Sequence, residues 1–449
     1  MSWRVPALLA LTTWGAAAFG AVRPWAFLPL FGACMVFAVA ALAQRRDAVP
    51  VDRGLAIALG CLILAIGVQL VPIPVSAIRQ LSPETDVFLR DFEIGYATAE
   101  RHALSIRPAA TLVGLAAACA LGLLLVGLVR TLNRRDTVHL TRGLCVLGVA
   151  LAIAGMAQMA MGNGKVYGFW TPRGGGNPFG PFVNRNHFAG WMLMAIPLAM
   201  SYFCGRVSRG MQAVQPGWRD RLLWFSTAAA SETLLVGLAV LVMALSLALT
   251  TSRSGILGLV LALAISGWFV ARHLETVTRR MIAALFLGLV LVAAIGWTGV
   301  DQIAVRFTND ATYGNRIPIW MDTLRIAGRF PLVGTGLNTY GSSTLAYQTA
   351  IPTVHLAQSH NDYLQILAEG GLLLSIPALG LLIVVVRTIR RRFRDVAPQS
   401  TDYWIRVGAA TGIVAIALQE IGEFSLQMPG NAVLFVILLG VAMRPLRSA

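Results

Sequence analysis

Residues 228–271 read AAASETLLVGLAVLVMALSLALTTSRSGILGLVLALAISGWFVA, two long apolar runs separated by the polar turn Thr250-Thr251-Ser252-Arg253-Ser254-Gly255. Crossing a hydrocarbon core of about 30 Å takes roughly 20 apolar residues in a helix, and the runs 228–250 and 255–271 each come close to that length. The stretch therefore predicts two membrane helices joined by a tight hairpin whose only charge is Arg253.

The same pattern recurs outward along the chain. Ten further segments qualify, near 5–21, 24–43, 54–72, 109–129, 143–161, 187–204, 281–299, 366–386, 404–422 and 431–443, giving an expectation of twelve spans. Composition agrees: 57% of residues are hydrophobic, 12% are charged, and the mean hydropathy of +0.70 is outside the usual range of soluble proteins. The first segment has one positive charge ahead of it and no clear small-residue cleavage site, so it is read as a retained helix rather than a signal peptide. With no internal repeat and no appended soluble domain visible, residues 1–449 are expected to form a single all-α polytopic membrane domain.

Cytoplasmic loops near helix ends carry the excess of positive charge. One set of alternate loops holds Arg45, Arg46 and Arg53; Arg130, Arg134, Arg135 and Arg142; Arg206, Arg209, Arg219 and Arg221; Arg272, Arg279 and Arg280; and Arg387, Arg390, Arg391, Arg392 and Arg394. That face is assigned to the cytoplasm together with both termini, which sends 73–108, 162–186 and 300–365 to the outer, periplasmic face. The net charge of +16 is thus a topology signal. Its basic residues hug helix ends instead of forming the continuous stripe of a nucleic-acid binder, so no nucleic acid is expected as a partner. Cys34, Cys61, Cys119, Cys145 and Cys204 sit inside expected spans with no paired spacing and read as core residues, not disulfides or metal ligands.

Function is sought in the outer loops. The first, with Arg79, Arg90, Arg101, His102 and Arg107 among Glu84, Asp86, Asp91, Glu93 and Glu100, reads as a solvated amphipathic segment. The second leads through glycines into Asn184-Arg185-Asn186-His187 at the start of a span. Unpaired backbone N–H groups at a helix N-terminus favour an anion. A cap at Asn186 with Arg185 reaching for headgroups is the plainer account, but four polar side chains exceed what a cap needs. Arg253 could pair with lipid phosphate; a guanidinium at this depth, beside hydroxyls, also suits a pyrophosphate. In the third loop, Arg316 precedes Trp320, Leu324 and Ala327 at helical spacing, predicting a short amphipathic helix. The glycine-punctuated turn around Gly334-Thr335-Gly336 follows, and then His360-Asn361 opens a span with a kink expected at Glu369-Gly370-Gly371. A lone interfacial histidine is most often a hydrogen-bonded surface residue. An imidazole on the same face as several arginines can instead take a proton from a hydroxyl while the arginines stabilise an anionic leaving group. No histidine–carboxylate cluster has metal-ligand spacing in these loops.

Taken together, Phe182-Val183-Asn184-Arg185-Asn186-His187-Phe188-Ala189, the Thr251–Gly255 hairpin, Arg316 with Trp320 ahead of Pro331 and Gly334-Thr335-Gly336, and His360-Asn361 followed by Glu369-Gly370 resemble the O-antigen ligase family, which includes the Wzy-type polymerases and the O-oligosaccharyltransferases. The resemblance covers most of spans five to ten, with 162–371 as its core and 300–365 as its main periplasmic loop. It implies a GT-C-like, metal-independent inverting glycosyltransferase of the bacterial inner membrane, without cofactor. The donor it implies is a glycan on undecaprenyl pyrophosphate, and the acceptor is lipid A-core or a growing polysaccharide. By the same resemblance Arg185, Arg253 and Arg316 hold the pyrophosphate and His360 activates the acceptor hydroxyl, with Asn184, Asn186, His187 and Asn361 in support. The motifs leave ligase, polymerase and protein O-glycosylation open. From another class, a lipid-linked oligosaccharide transporter would carry charges mid-span, and Gln419, Glu420 and Glu423 near the eleventh span are the residues that would serve it.

Overall fold

Within lipid, backbone N–H and C=O groups find partners only in their own segment, so long apolar runs become helices. The computed structural model describes residues 2–44, 49–162, 164–172, 176–210, 219, 226–273, 280–281, 284–290, 316–351, 353–397 and 400–445. The loop ahead of Arg316, most of the span expected at 281–299, and Arg45, Arg46, Arg221 and Arg279 lie outside the described residues.

Seven described helices are long and apolar enough to cross a membrane: α2 (Pro24–Ala43), α6 (Pro108–Thr131), α7 (Arg134–Met161), α8 (Arg185–Gly210), α9 (Ala228–Leu249), α10 (Arg253–His273) and α13 (Asp362–Arg394). Two more, α3 (Arg53–Val68) and α15 (Pro429–Met443), are apolar but shorter. Helices α1 (Arg4–Ala17) and α14 (Thr401–Gln419) stand where two further spans are expected. Val36, Val39, Ile57, Leu64, Val146 and Ile376 turn largely exposed side chains outward, a surface that suits lipid rather than water.

At the centre is α8, buried on every side and packed against α7, α9, α10, α14 and α15. Burial in lipid offers no hydrophobic gain for helix association, so close backbone approach through small residues has to hold such a bundle. Helix α14 meets that need with Gly408 and Gly412, one turn apart: a Cβ on Gly408 would stand 2.6 Å from the Pro197 carbonyl oxygen, and one on Gly412 would stand 2.9 Å from that of Met194.

Arginines gather at one end of the bundle. There Arg142 and Arg206 both reach Glu232, Arg444 pairs with the buried Asp402, and Arg406 donates to the Ala442 carbonyl. The opposite end carries the helices that are not spans: α4 (Val75–Leu81), α5 (Pro83–Phe92), α11 (Arg316–Arg329) and α12 (Tyr340–Tyr347). The short antiparallel pair of β1 (Ile73–Pro74) with β2 (Arg101–His102) closes the first of these loops on itself. Phe88, Leu89 and Tyr96 from this loop pack with Ile326, Ala327, Phe330, Tyr340 and Ala368. The segment read from sequence as a solvated one is therefore half of a small apolar core.

Helix α11 is amphipathic as its spacing predicts, but the buried stripe runs through Ile319, Thr323, Ile326 and Ala327, leaving Leu324 exposed. The expected kink in α13 falls at Gly371, whose φ of 54° and ψ of −156° interrupt the helix. Into that break docks the 334–336 turn. Thr335 and Gly336 donate backbone N–H groups to the carbonyls of Ala368 and Glu369, and Gln69 from the end of α3 donates to the Val333 and Glu369 carbonyls. The buried Glu369 carboxylate accepts from the backbone N–H groups of Asn338 and Tyr340, each at 2.8 Å.

Gly334 has a φ of +66°, and a Cβ there would lie 2.2 Å from the Glu369 carbonyl oxygen. Gly334→Ala should therefore destabilise the protein by about 1–3 kcal/mol, read as a lower thermal midpoint in detergent. Gly60→Ala, where an added Cβ meets nothing within 4 Å, should cost nothing measurable.

Candidate functional site

Helix α8 starts with its cap at Asn184, whose carbonyl accepts from His187 and Phe188 N–H and whose Oδ1 accepts from Asn186 N–H at 2.9 Å. Because Asn184 does the capping, the Asn186 side chain is available for something else. Its Nδ2 donates to Glu423 Oε1 at 2.7 Å. Arg185 turns to the α9–α10 hairpin, where its Nη1 donates to Thr251 Oγ1 at 3.1 Å. Arg253 begins α10 in that same hairpin. Its neighbour Ser254 lies 3.4 Å from Gln419 Nε2, an amide that also donates to the Asn186 carbonyl at 3.1 Å.

Helix α13 is capped by Asn361, whose Oδ1 accepts from Leu364 N–H, so His360 sits just outside the helix instead of opening it. Its backbone adopts φ +53°, a region that a non-glycine residue occupies at a cost. Several contacts hold it there. Ser359 Oγ donates to the Asn361 carbonyl, Ser359 N–H donates to Gln365 Oε1, and Trp320 Nε1 on α11 reaches the His360 carbonyl at 3.4 Å. The imidazole stands edge-on to Phe424 with ring centres 4.8 Å apart, and His187 flanks the other contact of that ring at 4.7 Å.

These parts meet at Glu423, in the loop between α14 and α15. Its Oε1 accepts from Arg316 Nη2 at 2.5 Å as well as from Asn186, and its Oε2 faces His360 Nδ1 at 3.8 Å, within ion-pair reach but beyond hydrogen-bond length. Glu423 is almost fully buried (2% of its side chain exposed), whereas 29% of the His360 side chain remains open to a substrate. Burial pushes the Glu423 carboxyl up, but the His360 imidazole and the Arg316 charge outweigh it and hold it below the usual carboxylate value of 4.5. Three residues earlier the balance reverses: burial, then the charge of Asp362, drives Glu420 well above that value. The loop thus presents one ionised carboxylate to the site and holds the other toward its neutral form.

The structure brings His360, Arg316 and Asn186 directly onto Glu423, ties Arg185 to Thr251 of the α9–α10 hairpin, and sets Ser254, next to Arg253 in that hairpin, against Gln419. Asn184 and Asn361 are helix caps, and His187 is buried against Phe424. Reading from sequence, Glu423 was a candidate for a transport path near the eleventh span; in the folded chain it lies past the end of α14. Its signal was there in Glu420-Ile421-Gly422-Glu423, two acids leaving a span on the outer face, the side that also holds Arg185, Arg253 and Arg316. Chemically the arrangement sets a partly open imidazole within ion-pair reach of a buried carboxylate that also holds a guanidinium, the kinds of group that can exchange a proton and stabilise an anion. Among the described residues, no group of three His, Cys, Asp or Glu side chains is placed to hold a metal.

Residues 238–379 match the model of a family described as O-antigen ligase. This stretch runs from α9 into α13 and includes Arg253, Arg316 and His360, while Arg185 precedes it and Glu423 follows it. No curated protein matches the chain.

The lowered Glu423 carboxyl fixes the sign of a pH effect. Its ionised form is the one the fold stabilises, so its contribution is fully present above 4.5 and is lost as pH falls through the depressed folded value. Glu423→Gln should lower stability by about 1.5–3 kcal/mol near neutrality, the worth of a hydrogen bond to a charged group. In melting experiments across pH, the gap between wild type and variant should stay constant above 4.5 and close below it.

Proposed function

We propose, because residues 238–379 match the model of a family described as O-antigen ligase, that this membrane protein transfers a glycan from undecaprenyl pyrophosphate to the hydroxyl of lipid A-core, on the periplasmic face of the inner membrane. The observation that carries the reading is His360, held at positive φ with Nδ1 toward the buried Glu423 carboxylate and a partly open ring. With Nδ1 turned to Glu423, Nε2 is the nitrogen that faces an acceptor. It takes the proton from the acceptor hydroxyl as that oxygen attacks the anomeric carbon from the side opposite the pyrophosphate, inverting it. The imidazolium so formed gains its countercharge from Glu423, which stabilises the charge where it develops.

Arg185, Arg253 and Arg316 hold the departing pyrophosphate. Planar guanidinium forks suit its oxygens, and charge stabilisation of this kind makes the diphosphate a leaving group that needs no acid. The clustering of arginines at the far end of the bundle supports a cytoplasmic assignment for that end, and with it the periplasmic placement of His360. Position also favours transfer over transport, as Glu420 and Glu423 lie at a helix end rather than along a path through the bundle.

The test is to incubate purified protein with undecaprenyl-pyrophosphate-linked glycan and either lipid A-core or the same lipid-linked glycan, reading products by gel and mass. Glycan on lipid A-core is the expected result; lengthened lipid-linked glycan would make the protein a polymerase, and intact donor with both acceptors would overturn transfer to a glycan in favour of a protein hydroxyl acceptor or of transport. His360→Ala should abolish transfer with membrane insertion intact. Arg253→Lys keeps the charge and loses the fork, so turnover should drop by about tenfold or more. EDTA should leave the rate unchanged.

A further inference from the structure

The loop between α3 and α6 folds around a polar cleft that the transfer chemistry does not use. Its volume is about 460 Å³, and Ser76, Arg79, Arg90, Tyr96, Ala97 and Glu100 are among the residues that line it. The cleft is built on one buried carboxylate. Asp86 Oδ2 accepts from Arg79 Nε at 3.2 Å and forms an ion pair with Arg90 Nε at 3.0 Å, and Asp86 Oδ1 accepts from the Tyr96 hydroxyl at 3.0 Å. Both guanidinium groups are about half exposed. Among the described residues no hydrogen bond engages their terminal nitrogens, so each is oriented through Nε and presents donors outward. Val75 N–H donates to the Glu100 carbonyl at 3.1 Å, which brings a carboxylate-bearing residue to the opposite wall.

Neutralising Asp86 requires one arginine, and the second has no structural account of that kind. The cleft is still not an anion site, because Arg79 and Arg90 are matched in charge by Asp86 and Glu100. What it offers is a set of fixed donors opposite an acceptor, with small alanines between. A ring bearing vicinal hydroxyls fits that arrangement, and neutral polar ligands are recognised by a few convergent polar groups in such clefts. We propose that this cleft is a saccharide subsite for the acceptor glycan, an inference that rests on the transferase reading above.

Its position suits that role. Tyr96 packs in the same apolar cluster as Ile326 and Ala327 of α11, ten and eleven residues beyond Arg316. At 1.5 Å of rise per residue, this sets the cleft about 15 Å along α11 from the catalytic network, within reach of an oligosaccharide whose terminal hydroxyl meets His360. Arg329 Nη1 and Glu84 Oε1 bind α11 to α5 at 2.5 Å, so the cleft and the site share one packed unit.

The experiment uses the full chain in lipid nanodiscs and saturation-transfer NMR with the water-soluble core oligosaccharide released from lipopolysaccharide by mild acid. Four proteins are compared: wild type, His360→Ala, Arg79→Gln/Arg90→Gln and Ala97→Trp. The last fills the cleft from an exposed position and leaves the Asp86 network untouched, so it keeps the test valid if the double variant misfolds. Wild type and His360→Ala should show equal contact with the oligosaccharide, and both cleft variants should lose it. In the transfer assay, the cleft variants should raise the acceptor KM by about tenfold, with kcat and the donor KM unchanged. Unaltered contact and acceptor KM in Ala97→Trp would overturn the subsite. Contact that depends on the cleft, in a wild type that transfers nothing, would support the subsite while removing the transferase reading.

Discussion

A single buried carboxylate, that of Glu423, ties together the parts of this protein that arrive from distant points in the chain. Asn186 comes from the start of α8, Arg316 from the start of α11 and His360 from the turn before α13, and each approaches one of its two oxygens. An ionised carboxylate out of water is costly unless it is paired and fully hydrogen-bonded. Any arrangement that separated these elements would leave that charge uncompensated. Convergence of the site is thereby enforced by the cost of its absence, and the glycine-mediated contact of α14 with α8 places Glu423 where the three can meet.

Preorganisation extends outward from that point. His360 occupies a strained backbone region, and such strain persists only where surrounding contacts over-determine it. Here they do: the Ser359 and Asn361 hydrogen bonds secure the turn, Trp320 holds its carbonyl, and Phe424 supports the ring. Behind the turn, the break at Gly371 and the docked 334–336 segment keep α13 from rotating freely. Glu369, which the sequence motif flags beside His360, works as a brace, since its carboxylate serves the Asn338 and Tyr340 backbone rather than the site. A motif residue can thus brace the segment beside His360 without touching its imidazole.

Two carboxylates in one loop illustrate how environment assigns role. Glu420 and Glu423 are both buried, yet Glu423 meets Arg316 and His360 while Glu420 meets the charge of Asp362, and the two are driven in opposite directions. Composition alone treats them as equals.

Much of the architecture was legible in the chain. Apolar runs near twenty residues long have one stable form in lipid, so the helical membrane character, the α9–α10 hairpin and the kink at Gly371 could be read directly. These features rest on local composition and on patterns within a few residues. What only tertiary structure decided was pairing across long separations: that Asn184 caps and frees Asn186 for Glu423, that α11 buries Ile319 and Thr323 instead of Leu324, and that the charged loop after α3 forms part of an apolar core. Glu423 is 237 residues from Asn186 and 107 from Arg316. No local pattern encodes such a contact, because its energy arises from desolvating a charge in the company of groups that only packing brings near.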